Sequence, residues 1–411
     1  MVNEFMQAEA VESGNPPQIG SDLAAQIINA VVSKAHVAGL THEFYRYPAR
    51  FSPLFARAMI QAFTKPGDTV LDPFMGGGTT MVEACSLGRQ AIGTDINELS
   101  VFISKVKTTP LTDAEVESIQ VWAQALIPNL SLRKTTAEVG NKYQKNIHGK
   151  STWPIRKVLE LALSQVPLLE TEKKRQFARC VLLKTAQGAL DCRENIPTVS
   201  MFRAQFLKDL AKMLEGMKEF RERIQAPNST CSEVKYSPAL CLHRSAIGIE
   251  GDENLRKLAP PSLIVTSPPY PGVHVLYHRW QVQGRRETPA PYWIINGSDG
   301  KGESFYTLGG RSRQGIEKFF KQTQAAFTSL ARISSRKTLL VQMVAFSDPE
   351  WQLPEYLSAI TKSGFREVHF SALSNSPDGR LWRGVPNRKW YAVQAPATAT
   401  NKEVVLFHQL A

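Results

Sequence analysis

Apolar positions in this chain come in two kinds of run. Short, nearly continuous stretches read as strands: Thr69-Val-Leu71, Arg89-Gln-Ala-Ile-Gly-Thr94, Pro238–Arg244, Leu263-Ile-Val-Thr266, Lys337–Phe346, Phe365–Leu373 and Val404–His408. Stretches with apolar residues three and four apart read as helices. Leu23, Ile27, Ile28, Val31 and Val32 predict a helix from Ser21 to about Val37. Leu54–Phe63 predicts a second, with Ser52 as cap and Pro53 in the first turn. A third opens at Thr79-Thr80 and runs to about Leu87, with Gly88 placed to end it. Gly315–Ala331 and Pro354–Ser363, the latter stopped by Gly364, follow late in the chain.

The middle of the chain has no strand pattern. It opens at Thr112, a cap with Glu115 three residues on. From there to about Gln225 it is mainly helical, through Trp122–Leu126, Ile155–Leu163, Lys173–Leu190 and Val199–Ile224. A block this long is no loop of a compact sheet domain. The pattern therefore predicts four parts: a tail and helix over 1–40, an α/β half over 41–110, a helical subdomain over 111–227 and a second α/β half over 228–411. Residues 1–20 have no period and read as a mobile tail.

Composition narrows the classes. The chain has 411 residues and 43% hydrophobic content, enough for a core. Its five cysteines are odd in number and form no C-x-x-C, and its eight histidines show no ligand spacing, so neither a disulfide framework nor a metal site is expected. No 18-residue apolar run occurs and the N-terminus is acidic and polar, so no membrane span or signal peptide is expected, and the expected compartment is a reducing cytoplasm.

Charge adds a partner. The formal charge is +12, and residues 131–225 hold nineteen Lys or Arg against ten Asp or Glu. A polyanion fits that excess, although basic residues on helices are often only a solvated face. Lys142, Lys145, Lys150 and Arg156, with Tyr143 and Trp153 among them, are the candidates for phosphate contacts. Gly284–Gly315 is a second basic stretch, with Arg285, Arg286, Arg311 and Arg313 beside Trp293, Phe305 and Tyr306. It reads as a flexible lid over a site or as a disordered surface loop. Arg383 lies in a third, Asp378–Tyr391, whose Trp382 and Trp390 either grip a base or pack in the core.

Two stretches carry candidate chemistry. After the first strand come Asp72-Pro-Phe-Met-Gly-Gly-Gly-Thr-Thr80, a glycine turn into a helix start, and the second strand ends in Asp95. Gly76 and Gly78 let the backbone turn sharply and lie close to a ligand, with free N–H groups at the helix start. An acid about twenty positions beyond the glycines suits the two hydroxyls of a ribose. The loop is not G-x-G-x-x-G, and Asp72 would repel a phosphate but suits a cation. S-adenosylmethionine carries an ammonium and a sulfonium and no phosphate. The second stretch is Ser267-Pro-Pro-Tyr270 after the Leu263–Thr266 strand. Pro268 and Pro269 stiffen the backbone and remove two donors. The Ser267 side chain, the outward carbonyls and the Tyr270 ring then suit a flat group bearing an amine.

Together these stretches resemble the DNA amino-methyltransferases, which modify N4 of cytosine or N6 of adenine. Asp72–Thr80 is similar to their cofactor loop and Ser267–Tyr270 to their catalytic tetrapeptide, in the serine form more typical of the cytosine-N4 enzymes. His42–Phe51 is similar to the segment that packs on the cofactor's methionine end. The resemblance implies a Rossmann-like, seven-stranded α/β methyltransferase sheet with a helical insert, its last two strands antiparallel. It implies S-adenosylmethionine held by Tyr47, Phe51, Asp72, Pro73, Phe74, Gly76, Gly78, Thr79, Thr80, Asp95 and Ile96. Catalysis would fall to Ser267, Pro268, Pro269 and Tyr270, acting on a base flipped out of double-stranded DNA. A cognate restriction endonuclease would be a further partner. The family often carries an acid after its third strand, near the adenine. Ser245 stands there in this chain, with Glu250 and Asp252 a little further on. Adenine-N6 transfer, an RNA substrate and an inactive nucleic-acid-binding scaffold are the alternatives.

Overall fold

The computed structural model describes residues 19–35, 37–47, 52–135, 142–226, 236–271, 279–284, 286–300, 308–309, 312–384 and 402–411. The described residues begin with helices α1 (Ser21–Val32) and α2 (Pro53–Phe63). Ser52 caps α2 by accepting from the Leu54 N–H, with Pro53 in its first turn. A strand-helix-strand-helix run follows: β1 (Thr69–Asp72), α3 (Thr79–Ser86), β2 (Gln90–Asp95) and α4 (Glu98–Lys107). The helical block comprises α5 (Asp113–Leu126), α6 (Trp153–Gln165), α7 (Glu172–Leu190) and α8 (Val199–Gln225). A capping box between Thr112 and Glu115 starts α5. Strands β3 (Leu240–His243) and β4 (Leu263–Thr266) return the chain to the sheet. A hairpin, β5 (Trp280–Val282) and β6 (Arg286–Thr288), leads to α9 (Ala290–Ile295). Then come α10 (Arg313–Ile333), β7 (Leu339–Val344), α11 (Pro349–Lys362), β8 (Phe365–Val368), β9 (Leu381–Gly384) and β10 (Lys402–Leu410).

The main sheet runs β3-β2-β1-β4-β7-β10-β8. Its first five strands are parallel, and β10 is antiparallel to both β7 and β8. Seven strands were expected, and among the described residues the sheet has eight. β10 is nine residues long, so one of its edges has room for two partners. Its second half pairs with β8 and its first half with β9, which the sequence left in a loop.

Alternation along each strand builds two cores. Val70, Ala91, Leu263, Val265, Val341 and Met343 face one side, and Leu71, Ile92, Ile264, Leu340 and Val344 the other. Phe319, Phe327, Leu330, Tyr356 and Ile360 of α10 and α11 cover the second side. The first side is covered by α2, α3 and α4, and α5–α8 join the same continuous core. On α8, a Cβ at Gly216 would lie 2.3 Å from the Leu40 carbonyl oxygen, so this insert helix lies directly on the segment before α2.

The 284–315 stretch departs from the flexible lid expected of it. Residues 286–300 are folded, with Ala290, Tyr292 and Ile294 fully buried. The hairpin docks on the insert: the Cys192 N–H donates to the Gln281 carbonyl (2.7 Å) and Asn146 Nδ2 to the Glu287 carbonyl (2.7 Å). Arg179 of α7 donates to the Ile294 carbonyl at 2.7 Å. Apolar residues at 290, 292, 294 and 295 bury this short element, a signal hidden by the glycines and arginines around it. Residues 301–307, 310 and 311 lie outside the described residues.

Candidate active site

The parallel strands β1, β2 and β4 end at one edge of the sheet, and their loops meet there. After β1 the chain makes two left-handed turns, at Gly76 (φ +46°) and Gly78 (φ +74°), before α3 begins. Only glycine adopts these cheaply. A third glycine is required by space, since a Cβ at Gly77 would lie 2.8 Å from Tyr47 Cβ. The Tyr47 ring thus lies against the glycine turn. Its hydroxyl accepts from Asn97 Nδ2 (3.3 Å), and Asn97 Oδ1 accepts from the Tyr292 hydroxyl (2.8 Å). Asn97, the cap of α4, therefore ties the segment before α2 and the α9 segment to the end of β2.

Asp95 holds the loop. Its Oδ2 accepts from the Gly76 N–H (3.0 Å) and its Oδ1 from the Asn97 N–H (2.8 Å). Ser100 Oγ donates to the Gly76 carbonyl (2.5 Å) and the buried Lys107 Nζ to the Gly77 carbonyl (2.6 Å). Burial raises the Asp95 carboxyl above its ordinary value, against the N–H groups that stabilise the anion. The next residue, Ile96, leaves 44% of its surface exposed, an apolar face at the end of β2. Phe74, in the loop after β1, is half-buried.

Asp72 does not face a ligand as expected. It is fully buried: Oδ2 accepts from the Thr80 hydroxyl (2.7 Å), and Oδ1 from the Thr266 hydroxyl (2.7 Å) and the Phe74 N–H (3.1 Å). The strand period turns its side chain to the core side with Val70. It joins β1, β4 and α3 into one unit. Burial pushes its carboxyl up to about 6 despite these three donors.

A second buried group fixes the segment before α2. Glu83 Oε1 pairs with His42 Nε2 (2.7 Å) and Oε2 with Arg57 Nε (2.7 Å). Burial pulls His42 below its ordinary value although Glu83 opposes this. The Glu83 carboxyl is lowered, because its bonds to His42 and Arg57 outweigh its own burial. No motif marked Glu83, Asn97, Lys107 or Tyr292. Only the helical spacing of Glu83 among apolar residues hinted that it is buried. Phe51 lies outside the described residues.

Ser267-Pro-Pro-Tyr270 leaves β4 at the same edge. Ser267 Oγ lies 3.2 Å from the Tyr270 hydroxyl, which donates to Glu403 Oε1 at 2.9 Å. Glu403 is 5% exposed and directly opposite Arg383, whose Nε donates to its Oε2 at 2.7 Å. Arg383, expected on a nucleic-acid surface, is instead largely buried in this ion pair. After β3, Ser245 Oγ accepts from the Ile247 N–H (3.1 Å). Asp252 pairs with Arg244 (2.8 Å) and Glu250 with Arg332, so both acids are turned to arginines. His243, level with Asp95 in the β2–β3 register, has its ring nitrogen 3.0 Å from the Ile96 carbonyl.

The basic candidates divide. Lys142, Lys145, Lys150, Arg286 and Arg313 are exposed. The Asn146–Glu287 bond places the lysine run and the start of β6 side by side. Arg156 was expected to reach phosphate, but its guanidinium is part-buried and bonded to Glu160 (2.5 Å) and Gln144 (3.2 Å). An i,i+4 acid on the same helix captured it. Arg285 and Arg311 lie outside the described residues.

A parallel sheet closed by an antiparallel final strand, with loops meeting past β1, β2 and β4, is the Rossmann-like methyltransferase fold. Residues 25–105 match the family model described as DNA methylase. Over 80 residues the chain is 44% identical to "Type II methyltransferase M.MvaI" of Kocuria varians, covering 19% of this chain and 18% of that one. Over 125 residues it is 29% identical to "DNA adenine methyltransferase YhdJ" of Escherichia coli, covering 30% and 42%. It is also 39% identical over 71 residues to a tRNA (guanine(10)-N2)-dimethyltransferase of Methanothermobacter thermautotrophicus, covering 16% and 21%. The chain thus spans less than half the length of each of these relatives. Over residues 25–105 the chain is thus similar to the DNA amino-methyltransferases, a family whose methyl donor is S-adenosylmethionine.

Proposed function

We propose that this chain transfers a methyl group from S-adenosylmethionine to the exocyclic amine of a base flipped out of DNA, with N4 of cytosine as the target. The observation that carries the reading is the meeting of the Gly76–Gly78 turn and Ser267–Tyr270 at one sheet edge. The donor fits the chain's residues: the turn carries no side chain where Tyr47 crosses it, Asp95 stands at its side, and Ile96 offers an exposed apolar face. Tyr47, the glycine turn, Asp95 and Ile96 would hold it. Asp72 and Thr80 would act indirectly, by fixing the loop. When bound, the donor supplies a methyl group activated by the sulfonium.

The chain's own work is positioning. An aromatic amine is a poor nucleophile, because its lone pair is delocalised into the ring. Ser267 Oγ and the Pro268 carbonyl would accept its hydrogens and turn the lone pair out of conjugation, while Tyr270 stacks on the base. Holding two reactants in line supplies much of the rate. Exposed Lys142, Lys145, Lys150 and Arg286 would contact phosphates. The test is single-turnover transfer of labelled methyl to DNA by wild type, Ser267→Ala and Tyr270→Ala. Both variants should keep the fold and donor affinity and lose turnover. Wild-type rates in both would overturn the assignment of this turn.

A further inference from the structure

We propose that Glu403 is the positioning residue and terminal proton acceptor of a relay that starts at Ser267 and passes through Tyr270; this rests on the methyl-transfer reading above. Methylation leaves the amine nitrogen with one proton too many, and that proton must leave through groups that reach the site. Glu403 is the second residue of β10, and its neighbour Val404 pairs with Val344 at the far end of β7. Thr266 of β4 pairs with Gln342 two residues earlier, so Glu403 sits at the same sheet edge as Ser267. As a carboxylate it can only accept. The Tyr270 hydroxyl therefore turns its hydrogen to Glu403 Oε1 at 2.9 Å. With that hydrogen committed, the 3.2 Å contact between Tyr270 and Ser267 has the serine as donor. Both lone pairs of Ser267 Oγ are then presented for the amine hydrogen. Arg383 bonds the other carboxylate oxygen at 2.7 Å and also donates to the Val31 carbonyl at 3.3 Å, which holds Oε1 towards the tyrosine.

The step balances. The nitrogen lone pair becomes the new N–C bond, and the S–C bond breaks with its pair left on sulfur. The surplus proton passes from nitrogen to Ser267 Oγ, the serine proton to the Tyr270 oxygen, and the tyrosine proton to Glu403 Oε1. One positive charge leaves the nitrogen and one carboxylate is neutralised. Glu403 then returns its proton to water.

The test compares wild type with Glu403→Gln, Tyr270→Phe and the double variant. General-base losses are about 10²–10⁴-fold, and Glu403→Gln is expected to lose at least about tenfold in kcat, with KM for donor and DNA unchanged. The double variant should fall no further than the worse single one, as residues of one relay do. Formate should restore part of the turnover of Glu403→Ala, and a structural role would give no such rescue. A readout independent of turnover is the ¹⁹F resonance of fluorotyrosine at 270, which Glu403→Gln should shift. If Glu403→Gln does not fold, Tyr270→Phe with its kcat and KM decides. Wild-type kcat in Glu403→Gln or Tyr270→Phe, with wild-type protein labelling DNA, overturns the relay alone. No label from wild type overturns the methyl-transfer reading and the relay together.

Discussion

Replacing Asp72 with asparagine tests whether this acid is a buried joint of the sheet. In the folded chain its carboxyl rises from 3.8 to about 6, chiefly through burial. The folded state therefore holds this proton more tightly than the unfolded chain does. Its contribution to stability is complete below pH 3.8 and is lost as pH rises to about 6. The full rise corresponds to about 3 kcal/mol, undiminished by solvent because the side chain is fully buried. The Asp72→Asn variant carries no such dependence, and its amide can keep the bonds of Thr266 and Phe74 while donating to Thr80. Urea unfolding of both proteins between pH 4 and pH 8 measures the effect, since other titrations cancel in the difference. Wild type should gain about 2–3 kcal/mol on Asp72→Asn as pH falls from 7 to 4. A difference that is flat with pH, or of opposite sign, would refute the inward placement.

Other perturbations probe other parts. Gly77→Ala drives a methyl into Tyr47, a clash of about 1–3 kcal/mol; calorimetry should show donor affinity reduced about tenfold or more, and unchanged affinity would remove Tyr47 from the site. Glu83→Gln removes the carboxylate that holds buried His42 and the one-third-exposed Arg57 and should destabilise the chain by about 1–3 kcal/mol, read in urea midpoints; an unshifted midpoint would contradict the buried carboxylate. Lys145→Ala and Lys150→Ala should each lower the slope of log affinity for DNA against log salt by about 0.9. Arg156→Ala, whose charge is spent on Glu160, should leave that slope alone, and the reverse pattern would move the nucleic-acid surface elsewhere.

What the sequence made legible was local. β1, the glycine turn, β2 and Asp95 are marked by apolar runs bounded by turn residues, and Ser52, Thr112 and Gly88 cap or end their helices as their chemistry predicts. Helix α11 starts five residues before the expected Pro354 because losing one backbone donor near a helix start does not stop the helix. Pairings between distant segments were not legible. Nothing near Asp72 announces Thr266, 194 residues away, and nothing near Tyr270 announces Glu403, 133 residues on. Arg383 reads as surface charge until β9 is seen beside β10. The fold of 286–300 was hidden because its partners are distant in sequence: Asn146 and Arg179 lie in the insert and Asn97 at the end of β2.

The central claim is methyl transfer to an exocyclic base amine. The protein should be incubated with isotopically labelled S-adenosylmethionine and unmodified DNA of diverse sequence, and the DNA digested to nucleosides for mass spectrometry. The account predicts labelled N4-methylcytosine; labelled N6-methyladenine would keep the mechanism and change the target. DNA without any labelled base would contradict it.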